Sequence, residues 1–123
     1  MAYLGWELNE SDRNRLLALF PPKYPDVVAH HITGQFGVSE DTPPPEPATF
    51  VVVGITEDRG LLQTLVVSVN GNTTRPDGET YHVTWSLDRA AGAKPKDSKT
   101  AIKRLGYTVT ERVPFQAEPK TFS

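Results

Sequence analysis

The stretch Tyr81-His82-Val83-Thr84-Trp85-Ser86-Leu87 is rich in β-branched and aromatic residues and reads as a strand. Side chains two residues apart on a strand share a face. His82 and Thr84 therefore point one way, while Val83 and Trp85 point the other way and are assigned to the core. A second stretch, Val27 to Phe36, carries His31-Ile32-Thr33 and also reads as a strand. There His31 and Thr33 share a face and Ile32 serves the core. His30 falls on the face opposite His31 and is given a structural or surface role.

Outward from these two strands the punctuation is clear. Tyr3 to Leu8 reads as a first strand. Asn9, Ser11 and Asp12 offer N-cap chemistry for a helix carrying Leu16, Leu17, Leu19 and Phe20, which Pro21-Pro22 ends. Val38 to Pro47 is acidic and proline-rich, a stiff exposed connection. Phe50 to Ile55 and Leu61 to Val69 form a hairpin about the turn at Glu57-Asp58-Arg59-Gly60. Asn70-Gly71-Asn72 and Asp77-Gly78 mark turns. Ser98 caps a short helix to about Leu105, with Gly106 as its stop. Tyr107 to Phe115 is the last strand, and Gln116 to Ser123 is a tail, mobile or laid along the surface. Roughly six strands and two helices joined by short turns predict an α+β fold, helices on one side of an antiparallel sheet, in one domain over residues 1–123.

Each His-x-Thr pair supplies one imidazole and one hydroxyl. With the two strands as neighbours, both pairs meet in one groove. A neutral imidazole takes a proton from an attacking water or hydroxyl, and a protonated one gives a proton to the leaving oxygen. Histidine supports both states because its unperturbed pKa is about 6.5. Threonine hydroxyls can donate to the non-bridging oxygens of a phosphate. His31, Thr33, His82 and Thr84 are thus the candidate catalytic residues, with no metal or cofactor required. Tyr3 and Trp6, beside the groove, are candidates to stack on a base. Lys94 and Ser98 follow the second motif and are candidates to extend the anion site. Zinc held by His30, His31 and His82 with a carboxylate is the chemical rival, but adjacent strand residues point apart and make poor joint ligands.

At these residues the chain resembles the 2H phosphoesterase superfamily, whose members carry two His-x-Thr motifs. Ala29-His30-His31-Ile32-Thr33-Gly34-Gln35-Phe36-Gly37 looks like a first motif. Tyr81 to Leu87 with Lys94-Pro95-Lys96-Asp97-Ser98 looks like the second motif and its trailing loop in small phage-type and RNA-repair-type members. The resemblance implies a bilobed fold with a groove between lobes. It implies a metal-independent phosphodiesterase acting on 2′,3′-cyclic phosphate RNA ends, 2′-5′ linkages or cyclic nucleotide signals; some phage members destroy the cyclic oligonucleotides of bacterial immunity. The alternative is a module that sequesters a nucleotide or cyclic nucleotide without turnover.

Composition sets the outer limits. No cysteine is present, which excludes disulfides, thiolate metal sites and cysteine nucleophiles. A net charge of −2 argues against coating long duplex DNA by bulk electrostatics and favours a nucleotide or short oligonucleotide partner. From Arg89 to Arg104, six basic residues stand against Asp97 alone, enough to draw in a small anion or simply to form a solvated face. No apolar run approaches the ~20 residues of a membrane span, and Met1 to Glu7 lacks a signal-peptide pattern. A soluble cytoplasmic protein without a membrane partner is the expectation.

Overall fold

The structure, a computed structural model, describes residues 1–123. Strand β1 (Ala2–Leu8) leads into helix α1 (Glu10–Leu19). Of the three possible caps, Asn9 is the one used: its side chain accepts from the Asp12 amide at 2.9 Å. Chain order continues through β2 (Asp26–Val27), β3 (His31–Val38), β4 (Phe50–Asp58), β5 (Leu62–Val69) and β6 (His82–Leu87). Helix α2 (Asp97–Leu105), β7 (Thr108–Phe115) and β8 (Ala117–Phe122) complete it. The α+β class and the antiparallel pairing agree with the sequence reading. No helix is long and apolar enough to cross a membrane.

The strands form two sheets, ordered β3-β1-β8 and β2-β6-β5-β4-β7. This corrects the single strand expected over Val27 to Phe36. Up to Ala29 that segment belongs to the five-stranded sheet, with the Val28 and Ala29 amides donating to the Trp85 and Thr84 carbonyls. Ala29 then takes φ +44°, a turn that an alternating pattern cannot announce. From His30, whose carbonyl accepts the Leu8 amide, the chain belongs to the three-stranded sheet. The Arg13 side chain secures the crossing: Nε donates to the Ala29 carbonyl at 2.7 Å, and a second nitrogen lies 3.4 Å from the Val28 carbonyl. The tail expected over Gln116 to Ser123, mobile or laid along the surface, is instead a strand: β8 pairs with β1 along its length.

One core joins the two sheets. Trp6 and Leu8 of β1, Ile32 of β3 and Leu16 of α1 pack with Leu65, Val67 and Val69 of β5 and Val83 and Trp85 of β6. The alternate residues of β5 pack on its other face: Leu62 with Ala101, and Val66 with Ile102, both from α2. All of β5 is therefore buried, and the helices lie on opposite faces of the larger sheet, not on one side as expected. Gly5 lets β1 and β3 close up; a Cβ there would collide with the Ile32 carbonyl. Ser98 does not cap α2. The helix begins at Asp97, whose carboxylate accepts the Lys94 amide at 2.9 Å, and Ser98 is fully buried.

Candidate active site

Because Ile32 is committed to the core, the pleat of β3 turns His31 and Thr33 away from it. Val83 and Trp85 do the same for His82 and Thr84 on β6. The two edges meet where the chain crosses at Ala29, and all four side chains line one cavity of ≈ 280 Å³ between the sheets. Arg75, Lys96 and Lys99 also line it, and no carboxylate does. No three histidine, aspartate or glutamate side chains gather at metal-binding distance anywhere in the chain.

The two imidazoles are held differently. His82 Nδ1 lies 2.8 Å from the Thr80 carbonyl, an acceptor only, so Nδ1 carries a proton and donates. Nε2 is left for the cavity. Burial lowers the His82 pKa; the Thr80 carbonyl opposes this by favouring the charged ring, while Arg75 adds to the lowering. His31 Nδ1 lies 3.0 Å from Nδ1 of His30. Burial, then the charges of His30 and His82, push His31 from 6.5 down to about 4, against a smaller pull upwards from Glu7. His31 is therefore neutral in the free protein near neutral pH.

The hydroxyls differ as well. Thr84 Oγ1 is 2.8 Å from Ser98 Oγ and 3.3 Å from the Pro95 carbonyl. The Pro95 carbonyl can only accept, so Thr84 donates to it and Ser98 donates to Thr84; a phosphate oxygen in the cavity would compete with that long bond for the Thr84 proton. Ser98 thus stands behind Thr84, not in the cavity wall where the sequence placed it. Lys94 is likewise outside the lining; the lysines that reach the cavity are Lys96 and Lys99, neither of which makes an ion pair. Two others of the basic run are engaged elsewhere, Lys103 with Glu79 and Arg104 with Asp58.

The aromatic pair separates. Tyr3 lines the cavity, stacked on Phe122 at 4.8 Å and 5.4 Å from the His31 ring. Trp6 does not. It is 7% exposed, donates Nε1 to the Glu46 carbonyl at 2.9 Å, and packs edge-on against Phe50 and Tyr81. Alternation carries the reason: Leu4, Trp6 and Leu8 face the core, whereas Tyr3 and Glu7 face the other way.

Arg75 was missed by the sequence reading. It is 2% exposed, pairs with Asp77 at 2.9 Å, lies 5.2 Å from the centre of the Phe36 ring, and still borders the cavity. It sits in the turn-rich stretch Thr73 to Gly78, where no periodicity marks a residue as buried. Comparison of the chain with family models, with curated proteins and with solved structures gives no match.

Proposed function

We propose that this chain is a metal-independent phosphodiesterase that cleaves a nucleotide phosphodiester by paired histidine acid–base catalysis. The observation that carries the reading is the cavity itself: two imidazoles from different sheets, two threonine hydroxyls and three cationic side chains, with no carboxylate in the wall. That set suits a phosphate anion and not a cation or a neutral apolar ligand.

The difference between the rings supports a division of labour. His31, held neutral, is the base: its Nε2 takes a proton from the attacking water as the new oxygen–phosphorus bond forms. His82, whose carbonyl partner favours the imidazolium, is the acid: its Nε2–H goes to the ribose oxygen as the old phosphorus–oxygen bond breaks. Thr33, Thr84 and Arg75 hold the non-bridging oxygens as charge builds on them. Water and a cyclic diester give a monoester and a free hydroxyl. A 2′,3′-cyclic phosphate RNA end and a cyclic oligonucleotide signal both present this chemistry.

The test is incubation with 2′,3′-cyclic mononucleotides and cyclic oligonucleotides in EDTA, with products read by mass. Turnover that survives chelation is the expected result. Ligand retained unchanged would point to the sequestering module, and activity that requires an added divalent ion would remove the mechanism.

A pH profile tests the assignment of roles. The profile of kcat/KM reports the free enzyme. Both free rings titrate below 6.5, His31 at about 4. The maximum is therefore expected on the acid side of 6.5, where the base is already neutral and the acid still holds its proton. The kcat profile is expected at higher pH, because a bound phosphate raises both values. A kcat/KM maximum in the alkaline range would contradict the division between His31 and His82.

A further inference from the structure

His30 is not the bystander that strand alternation makes it. It precedes β3, and its Nδ1 sits 3.0 Å from His31 Nδ1. Its other nitrogen, Nε2, lies 3.5 Å from Glu7 Oε1. Glu7 is the β1 residue paired with His31 in register, and its second oxygen is held by Lys120 at 2.9 Å. Glu7, His30 and His31 thus form a line from a fixed carboxylate to the ring that faces the cavity.

That line has a direction. A carboxylate accepts and does not donate. It favours the proton of His30 on Nε2, which leaves Nδ1 of a neutral His30 as a lone pair. The short contact between the two Nδ1 atoms then requires His31 to supply the proton. With its proton on Nδ1, His31 keeps an unprotonated Nε2 for the cavity. An isolated imidazole has no such constraint, and a general base with its proton on the wrong nitrogen cannot accept another where the reaction needs it.

We propose that His30, anchored by Glu7, is a positioning residue that holds His31 as its Nδ1–H tautomer and so keeps Nε2 open as the base. The inference rests on the reading of His31 as the base, but its first test does not need turnover. Long-range proton–nitrogen spectra of histidine-labelled protein, near neutral pH, report which ring nitrogen carries the proton. In the wild type His31 Nε2 is expected to resonate as unprotonated and Nδ1 as protonated. His30→Ala is expected to move His31 towards the Nε2–H form. His30→Asn places an amide oxygen near the position of the lost Nδ1 and is expected to restore the original pattern. Since the His30 side chain is 48% exposed, neither replacement threatens the fold.

Turnover supplies the second test. His30→Ala is expected to lower kcat by roughly 10-fold or more, within the ~10²–10⁴-fold that a positioned base supplies, with KM little changed. His30→Asn is expected to recover most of it. A wild-type His31 protonated at Nε2, a tautomer indifferent to His30→Ala, or an equal loss of kcat in both variants would each overturn the proposal. If the spectra behave as expected and no nucleotide is cleaved, the positioning stands and the catalytic reading of the cavity falls.

Discussion

Alanine at both His31 and His82 is expected to slow cleavage hardly more than alanine at either alone, each single replacement costing about 10²–10⁴-fold in kcat/KM. In the proposed mechanism one ring removes a proton and the other delivers one in the same transition state. Once either is missing, the second has no complete reaction to assist, so its loss adds little. What remains after both are gone comes from the phosphate-holding groups, Thr33, Thr84 and Arg75, which still line the cavity. Steady-state kinetics of the wild type, the two single variants and the double variant on one cleaved nucleotide decide this. Losses that multiply would mean that the rings act in separate steps, and an active double variant would take the chemistry away from both.

Trp85→Ala is expected to have the largest effect on stability, about 3–5 kcal/mol. Trp85 is the largest fully buried side chain, and it packs in the core that joins the two sheets. Its indole Nε1 also donates to the Phe20 carbonyl at 2.7 Å, at the end of α1. Truncation leaves a cavity beneath the β6 strand that carries His82 and Thr84, and it strips a partner from the Phe20 carbonyl. A domain of this kind has ~5–15 kcal/mol in total, so a large part of the margin is at stake. Urea unfolding followed by circular dichroism is the measurement, with the midpoint falling well below that of the wild type. Trp85→Phe keeps most of the volume and loses the indole N–H, so an intermediate midpoint is expected. An unchanged midpoint in Trp85→Ala would show that the core closes over the gap at little cost.

The candidate site was legible where it rests on local alternation. His82 and Thr84 opposite Val83 and Trp85, and His31 and Thr33 opposite Ile32, follow from the two-residue period of a strand, and the structure places both pairs in one cavity. The same rule, applied to β1, would have kept Tyr3 and turned Trp6 into the core, because an odd separation changes the face. Other features depend on contacts distant in sequence. The crossing at Ala29 is imposed by pairing with β6 on one side and β1 on the other. Gln116 to Ser123 has no strong strand signal, yet it becomes β8 because β1 offers it an open edge, and this brings Phe122 under the ring of Tyr3. Arg75 is buried by the turn around it, with Asp77 as its counter-charge. Ser98 reads as a helix cap because serine often is one, but the helix starts one residue earlier with no side-chain cap, the Asp97 carboxylate closes the preceding turn on the Lys94 amide, and Ser98 is left to support Thr84.

The passage from Val27 to His31 has a consequence for what the cleft admits. A handful of residues carries the backbone from one jaw to the other, with no flexible linker between them. At its midpoint Ala29 occupies a left-handed conformation that glycine would adopt more easily, and its methyl group is completely enclosed. Side chains from both jaws interlock behind it, and a guanidinium clasps the bend from α1. The separation of the two imidazoles is therefore set by a short run of covalent backbone that packing holds on both sides, much as the throat of a caliper is set by its frame. If the cleft takes phosphodiesters as proposed, selection among them falls to the size and shape of the groups flanking the phosphorus.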